Sequence, residues 1–386
     1  MMSYPSANIL LSTYDLPLRL GEDDFISGDK MTLTKLVYIK TTLLLIISLG
    51  IVSCAFEDRS LESASWDLSD GIEFPSGRPL SRAEDGVILA DGTLIVADQR
   101  YGLAKITVSG DVTPFGNFQA LGYEHNPPEV ESGPNGVHLT PDNQYVITAD
   151  VFSGKIYKTS IEKNSTEIVY SHDYGVNTAR QDSTGAIWFT QSTENKNEER
   201  VFAALGQLIT DGALYRIPPS KNGTKLKPEL VIDALNFANG FYIDEVKKKF
   251  YLSEMMSNRV LQFDIDLDSG SLSNQTTLAE IPTPDNMELN GDDRLWVASL
   301  LSNQVISINT ETGESFVVFD AQTSAGLENL QKGLIAMNNG GGFTDLLTPE
   351  LTGDMPGLLT GMIIGNENQP FYIANLGAAL IEVTKD

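Results

Sequence analysis

One short phrase recurs six times in this chain. A polar residue or pair opens it, an apolar stretch and a turn follow, and a second apolar run ends on a polar residue. The copies read EDGVILADGTLIVAD (84–98), PNGVHLTPDNQYVITAD (134–150), VNTARQDSTGAIWFTQ (176–191), ANGFYIDEVKKKFYLSE (238–254), PDNMELNGDDRLWVAS (284–299) and TGMIIGNENQPFYIAN (360–375). Each predicts a strand, a tight turn and a second strand. Asp91-Gly92, Asp142-Asn143, Thr184-Gly185 and Asp292-Asp293 supply turn chemistry. The second strands are built from β-formers such as LIVA, IWFT and FYLS.

A third strand follows in each unit, for example GLAKITV (102–108) and NRVLQFDI (258–265), and a more variable outer strand comes after it, such as TEIVYS (166–171). Four antiparallel strands repeated at roughly 40–60 residues is the spacing of propeller blades. The copies start 50, 42, 62, 46 and 76 residues apart, so the excess goes into loop insertions. The expected fold is therefore all-β: a six-bladed propeller of four-stranded antiparallel blades over residues 67–386. Helical periodicity is nearly absent from this span. The exception is NEERVFAALGQLI (197–209), read as a short helix within a lid spanning 193–211.

An export signal is expected before the propeller. Lys35 and Lys40 precede an uncharged apolar run, Thr41–Val52, shorter than the ~20 residues of a comfortable membrane span. Ile51-Val52-Ser53-Cys54 resembles a bacterial lipobox, and Cys54 is the only cysteine, so no intramolecular disulfide can form. Residues 1–30 read as a misassigned or disordered start, 31–54 as a lipoprotein-type signal and 55–66 as a linker. The chain is then exported, as a periplasmic or outer-membrane lipoprotein, with secretion or a signal anchor as the alternative. Membrane contact is expected only through that N-terminus.

The net charge of −26 leaves no basic patch to displace counterions from nucleic acid. There is no HExxH, Walker loop, GxSxG or CxxC motif, and His125, His138 and His172 are the only histidines. The remaining chemical material is oxygen. The first strand of a propeller blade lines the central channel, so the opening polar residues should meet at its mouth. They are Glu84 with Asp85, Asn135, Asn177, Asn239, and Asp285 with Asn286, while the sixth copy offers Thr360. Carboxylates and amide carbonyls converging on one axis suit Ca²⁺, with Mg²⁺, Mn²⁺ or Zn²⁺ as alternatives.

These motifs resemble those of the calcium-dependent six-bladed propellers of the senescence-marker-protein/gluconolactonase, paraoxonase and strictosidine synthase superfamily. Glu84-Asp85 resembles the first-blade glutamate and Asn177 the third-blade asparagine. Asn239-Gly240 is similar to the "NG" ligand motif, and Pro284-Asp285-Asn286-Met287 to the fifth-blade motif of that superfamily. ADQRYGLAKI (97–106) is similar to the strictosidine-synthase-like signature. There are departures. Asn135 stands where paraoxonases place a histidine, and Met362 near the last-blade glutamate of strictosidine synthases. Gly175-Val176 replace the arginine that precedes the third-blade asparagine in gluconolactonase relatives.

The resemblance implies a monomeric metal-dependent hydrolase of a small-molecule lactone or ester. Its metal ligands would be Glu84, Asn177, Asn239, Asp285 and Asn286. Asp285 is the first candidate base, with Glu254 the second catalytic candidate. Asn135, Asp150 and Phe202 are expected at the substrate, and His138 is expected to be structural. The alternative is a non-catalytic exported propeller that binds a carbohydrate, peptide or protein around a structural calcium.

Overall fold

A computed structural model describes residues 66–219, 227–291, 293–366 and 368–385. The export signal and the segments 1–30 and 55–65 lie outside them. Among the described residues, no helix is long and apolar enough to cross a membrane.

The strands form six sheets, one per copy of the repeat, each with four antiparallel strands and one of them with an added fifth strand. The innermost strands are Gly86–Ile88, Pro134–Leu139, Ala179–Gln181, Ala238–Asp244, Pro284–Asn290 and Leu359–Ile364. The second strands are buried along nearly their whole length, as in Leu94–Asp98 and Ile187–Gln191. A blade packs against a neighbour on both faces, so its central strand carries apolar residues on both sides rather than alternating.

Six apolar clusters seal the ring, one between each adjacent pair of blades. Ile95, Ala97 and Leu103 of blade one meet Val137, Val146 and Tyr157 of blade two. Trp188 and Leu214 of blade three meet Phe241, Phe250 and Leu261 of blade four. Between blades five and six, Trp296 and Phe319 pack against Met362, Phe371 and Ile373. The remaining three seams follow the same rule.

The sixth copy lacks an outer strand of its own. Gly71–Phe74 supplies it, pairing antiparallel with Leu380–Val383 from the far end of the chain. Trp66–Asp67, placed at the edge of the linker by sequence, instead adds a short parallel strand to blade five at Phe319–Asp320. Its indole packs edge-on to Phe371 at 5.1 Å. The first residues of the propeller thus complete its last blade.

The expected helix within 197–209 is α1 (Glu198–Ala203), continued by a 3₁₀ turn at Ala204–Gly206. The near absence of other helix was incorrect. The long fifth interval contains α2 (Ser324–Asn338), started by Thr323, whose hydroxyl accepts from Gly326 N at 2.9 Å. Two interior glycines and two asparagines weaken its intrinsic propensity; burial of Leu330 and Met337 offsets this. A seventh cluster joins Leu330, Met337 and Phe343 to Val201 and Leu205, and these to Phe152, Phe237, Met255 and Leu300 of the blade loops.

Blade six exposes an apolar edge without its N-terminal strand. A chain beginning at Gly77 should therefore lose roughly 3 kcal/mol or more of stability relative to one beginning at Ser60, the scale of removing a large buried apolar side chain. Paired thermal and urea unfolding curves check this; coincident curves would show that the closing strand is dispensable.

Candidate functional site

The opening polar residues reach the axis through a distortion of the inner strands. In blades two, four, five and six the register slips at the strand start: between Pro134 and Val137, Ala238 and Phe241, Pro284 and Met287, and Leu359 and Gly361. A bulge of this kind turns a side chain away from the sheet face. Two of these starts carry glycine because neighbouring inner strands approach closely. A Cβ on Gly136 would lie 2.9 Å from Thr178 Cα, and one on Gly240 would lie 2.6 Å from Asn286 Cα. The pairing of a polar residue with glycine is thus a packing requirement of the axis.

Hydrogen bonds link the polar residues around the mouth. Arg82 Nη2 donates to Asn135 Oδ1 at 2.8 Å, and Asn135 Nδ2 donates to Asn177 O and Oδ1 at 3.2 and 3.3 Å. The Thr178 hydroxyl can serve Asn177 Oδ1 at 3.1 Å or Asn286 Oδ1 at 3.3 Å. Asn286 Nδ2 donates to Glu84 Oε1 at 3.0 Å, and Thr360 Oγ1 donates to the Glu84 carbonyl at 2.8 Å. Among these axial residues, two buried oxygens have no hydrogen-bond partner among the described residues, Glu84 Oε2 and Asn239 Oδ1. Such atoms cost free energy unless a ligand or water meets them.

Both residues line one cavity, part of it open to solvent, with about 50 Å³ accessible to the centre of a water-sized sphere. Arg82, Asn135, Asn177, Asp285 and Thr360 complete its polar floor. Its walls are Val151, Phe152, Phe237, Met255, Leu300 and Leu376, and the lid adds Val201, Phe202 and Leu205. Burial, then the neighbouring Asp285 charge, pushes the Glu84 carboxyl up to about 8, with Arg82 opposing. Burial also lifts Asp285 well above the ordinary carboxylate range, against the pull of Arg82. Two acids crowded in a desolvated pocket resist double ionisation, and a cation between them would relieve this. Among the described residues, no three His, Cys, Asp or Glu side chains converge on one point. A cation here would therefore rely on amide oxygens as well.

Asp85 leaves the mouth and turns down the channel. Its Oδ2 accepts from Val137 N at 2.8 Å and lies 3.8 Å from His138 Nε2. His138 Nδ1 lies 3.5 Å from Glu288 Oε1, and Glu288 pairs with Arg180. Burial, followed by the Arg180 charge, holds His138 down to about 4, so its ring is neutral near pH 7. This column fills the channel beneath the cavity.

The residues that close each copy serve differently from those that open it. Asp150 Oδ1 accepts from the backbone of Gly133, Phe152 and Ser153, all within 3.0 Å. Glu254 accepts from Asn236 N at 2.8 Å and Arg259 Nε at 2.6 Å. Asp98 accepts from Ser81 N, and Ser299 donates to the Pro282 carbonyl. Each latches the backbone two or three residues before its blade's axial residue. Asp150 and Glu254 do not line the cavity, so the expected substrate contact and catalytic role are not seen in their placement. Asn286 also lies off the wall and orients Glu84. Glu84, Asn177, Asn239, Asp285, Asn135 and Phe202 all line it.

Arg82 went unnoticed in the sequence because it precedes the repeated phrase. Its φ of +56° is a left-handed conformation that favours glycine. The only available signal was a lone basic residue two positions before an axial glutamate.

Comparison with known proteins places this geometry in context. A family model described as SMP-30/Gluconolactonase/LRE-like region matches residues 170–324. Regucalcin of Danio rerio is 27% identical over 110 residues, which cover 28% of this chain and 36% of the relative. Regucalcin of Homo sapiens is 30% identical over 107 residues, covering 27% and 34%. The match thus spans about a third of the curated relatives. A gluconolactonase from Xanthomonas campestris superimposes with a TM-score of 0.53 at 16% identity, over 79% of this chain and 86% of that one. A luciferin-regenerating enzyme gives 0.54 at 16% identity, over 82% and 95%. At this identity the structural likeness is one of fold. Residues 170–324 thus match the SMP-30/gluconolactonase-like family model, and the six-bladed fold is the one shared with these solved structures.

Proposed function

We propose that the protein is a divalent-metal-dependent hydrolase of a lactone or related ester, acting in the axial cavity. The carrying observation is the pair of buried, unpartnered oxygens, Glu84 Oε2 and Asn239 Oδ1, on one wall with Asp285. The oxygen-only donor set fits a hard cation, Ca²⁺ first, held by Glu84, Asn177, Asn239 and Asp285. When bound, such an ion supplies Lewis-acid polarisation of a carbonyl. Asn286 fixes the Glu84 carboxylate, and the apolar walls limit the access of bulk water.

Asp285 takes the proton of the attacking water. The water oxygen bonds to the acyl carbon, the acyl–oxygen bond breaks, and the proton held at Asp285 passes to the leaving oxygen. The matched family description and the names of the structural neighbours support a lactonase reading. The same proposal keeps the chain exported through residues 31–54.

A panel of aldonolactones, aliphatic lactones and aryl esters tests it. Turnover should stop with a chelator, and Asp285→Asn should lower kcat roughly 10²–10⁴-fold while the fold survives by circular dichroism. Absence of turnover across the panel with metal bound would leave the non-catalytic reading. Turnover surviving Asn239→Ala together with Asp285→Ala would refute the site.

The raised carboxyls also set a pH dependence. Folded Glu84 and Asp285 hold protons more tightly than in the unfolded chain. Their contribution is therefore complete below the unfolded pKa, about 4–4.5, and is lost as pH rises towards about 8. In chelator, Tm should fall between pH 5 and 8, less steeply in Glu84→Gln. Added Ca²⁺ should raise Tm more at pH 8 than at pH 6, since fewer protons must be displaced. Equal calcium shifts at both pH values would count against ion binding by these carboxylates.

A further inference from the structure

Arg82 is the one basic residue on the cavity wall. Its Nη1 donates to the Pro134 carbonyl at 2.7 Å and its Nη2 to Asn135 Oδ1, and its guanidinium lies 5.1 Å from the centre of the Phe152 ring. A guanidinium has five N–H donors. Among the described residues its guanidinium makes no other hydrogen bond and no ion pair. Its backbone is held in the left-handed region, a conformation that persists where surrounding structure enforces it. The surroundings thus fix a cation at the floor and leave part of its fork unspent.

The charge count makes this consequential. A divalent ion balanced by Glu84 and Asp285 leaves Arg82 as a net positive charge in a partly enclosed space. A partly desolvated cation of this kind calls for an anion. The walls above it are apolar, with Phe152, Val201, Phe202 and Phe237 among them. A polyhydroxylated lactone would turn hydroxyls against these side chains and leave them unpaired, which costs binding free energy.

We propose that Arg82 is a specificity-determining residue, pairing with an anionic group on an otherwise apolar substrate. This rests on the hydrolase reading for its substrate but not for its binding preference. The acidic surface opposes anion approach little, because physiological salt screens exposed charges more than about 8–10 Å away. The short-range pairing with a fixed guanidinium then decides the selection.

A matched pair of esters tests it on the calcium-loaded protein: 4-nitrophenyl hexanoate and the mono-4-nitrophenyl ester of adipic acid, which exchange a terminal methyl for a carboxylate. The wild type should favour the acidic ester in kcat/KM by about tenfold or more, mainly through KM, and Arg82→Gln should bring that ratio to about one. Arg82→Lys, which keeps the charge without the fork, should retain part of the preference and serves if Arg82→Gln fails to fold. A wild type that favours the neutral ester, or an Arg82→Gln that loses both equally, overturns the proposal. If neither ester is cleaved, the hydrolase reading fails for these esters, and calorimetry with hexanoate and hexanamide still decides. Tighter binding of hexanoate that disappears in Arg82→Gln supports the anion site, and equal or absent binding of the two refutes it.

Discussion

Closure of the apolar seams is the constraint on which the rest of this structure depends. Each blade buries both faces of its central strand, and no blade can do so alone. Six seams require six blades in a ring, and the ring requires an outer strand for the last blade. Gly71–Phe74 supplies it and joins the two ends of the propeller. Once the ring closes, the inner strands are pressed together at the axis. There the chain answers with bulges and with Gly136 and Gly240, because a Cβ at either position would strike the neighbouring strand.

The same compression creates the chemistry. Polar side chains turned inward at the bulges cannot reach bulk water, so they satisfy one another from Arg82 through Asn135, Asn177, Thr178 and Asn286 to Glu84. The set is incomplete at Glu84 Oε2 and Asn239 Oδ1. The burial that strands these oxygens also lifts the acids above the ordinary carboxylate range. Unspent acceptors and resisted ionisation have one physical origin, and a cation would relieve both. The second polar column is spent mainly on backbone, although Asp150 Oδ2 also lacks a partner among the described residues. Asp150 and Glu254 sit where entry loops offer backbone N–H groups, and they act as latches.

Much of this was legible in the chain. The recurring phrase carries the blade count, the strand order and the positions that meet at the axis, because strand alternation and turn chemistry are local. Glu84, Asn177, Asn239 and Asp285 share one column, and that column lines one cavity. The two polar columns could not be told apart by residue type, since an acid ending a strand reads alike whether it faces a ligand or a backbone amide. Helix α2 was hidden by its glycines and asparagines, and only burial against the lid cluster stabilises it.

The amino-acid sequence by itself determined the repeat, the six-fold ring and the oxygen character of the axis, because each follows from periodicities a few residues long. Folding in three dimensions decided which oxygens remain unpaired, which acids become latches, and that Arg82 stands beside them. It also decided that the roof is apolar and that Trp66 and Phe74 belong to the far end of the chain. Those outcomes depend on contacts between residues tens to hundreds of positions apart, and no local pattern encodes them.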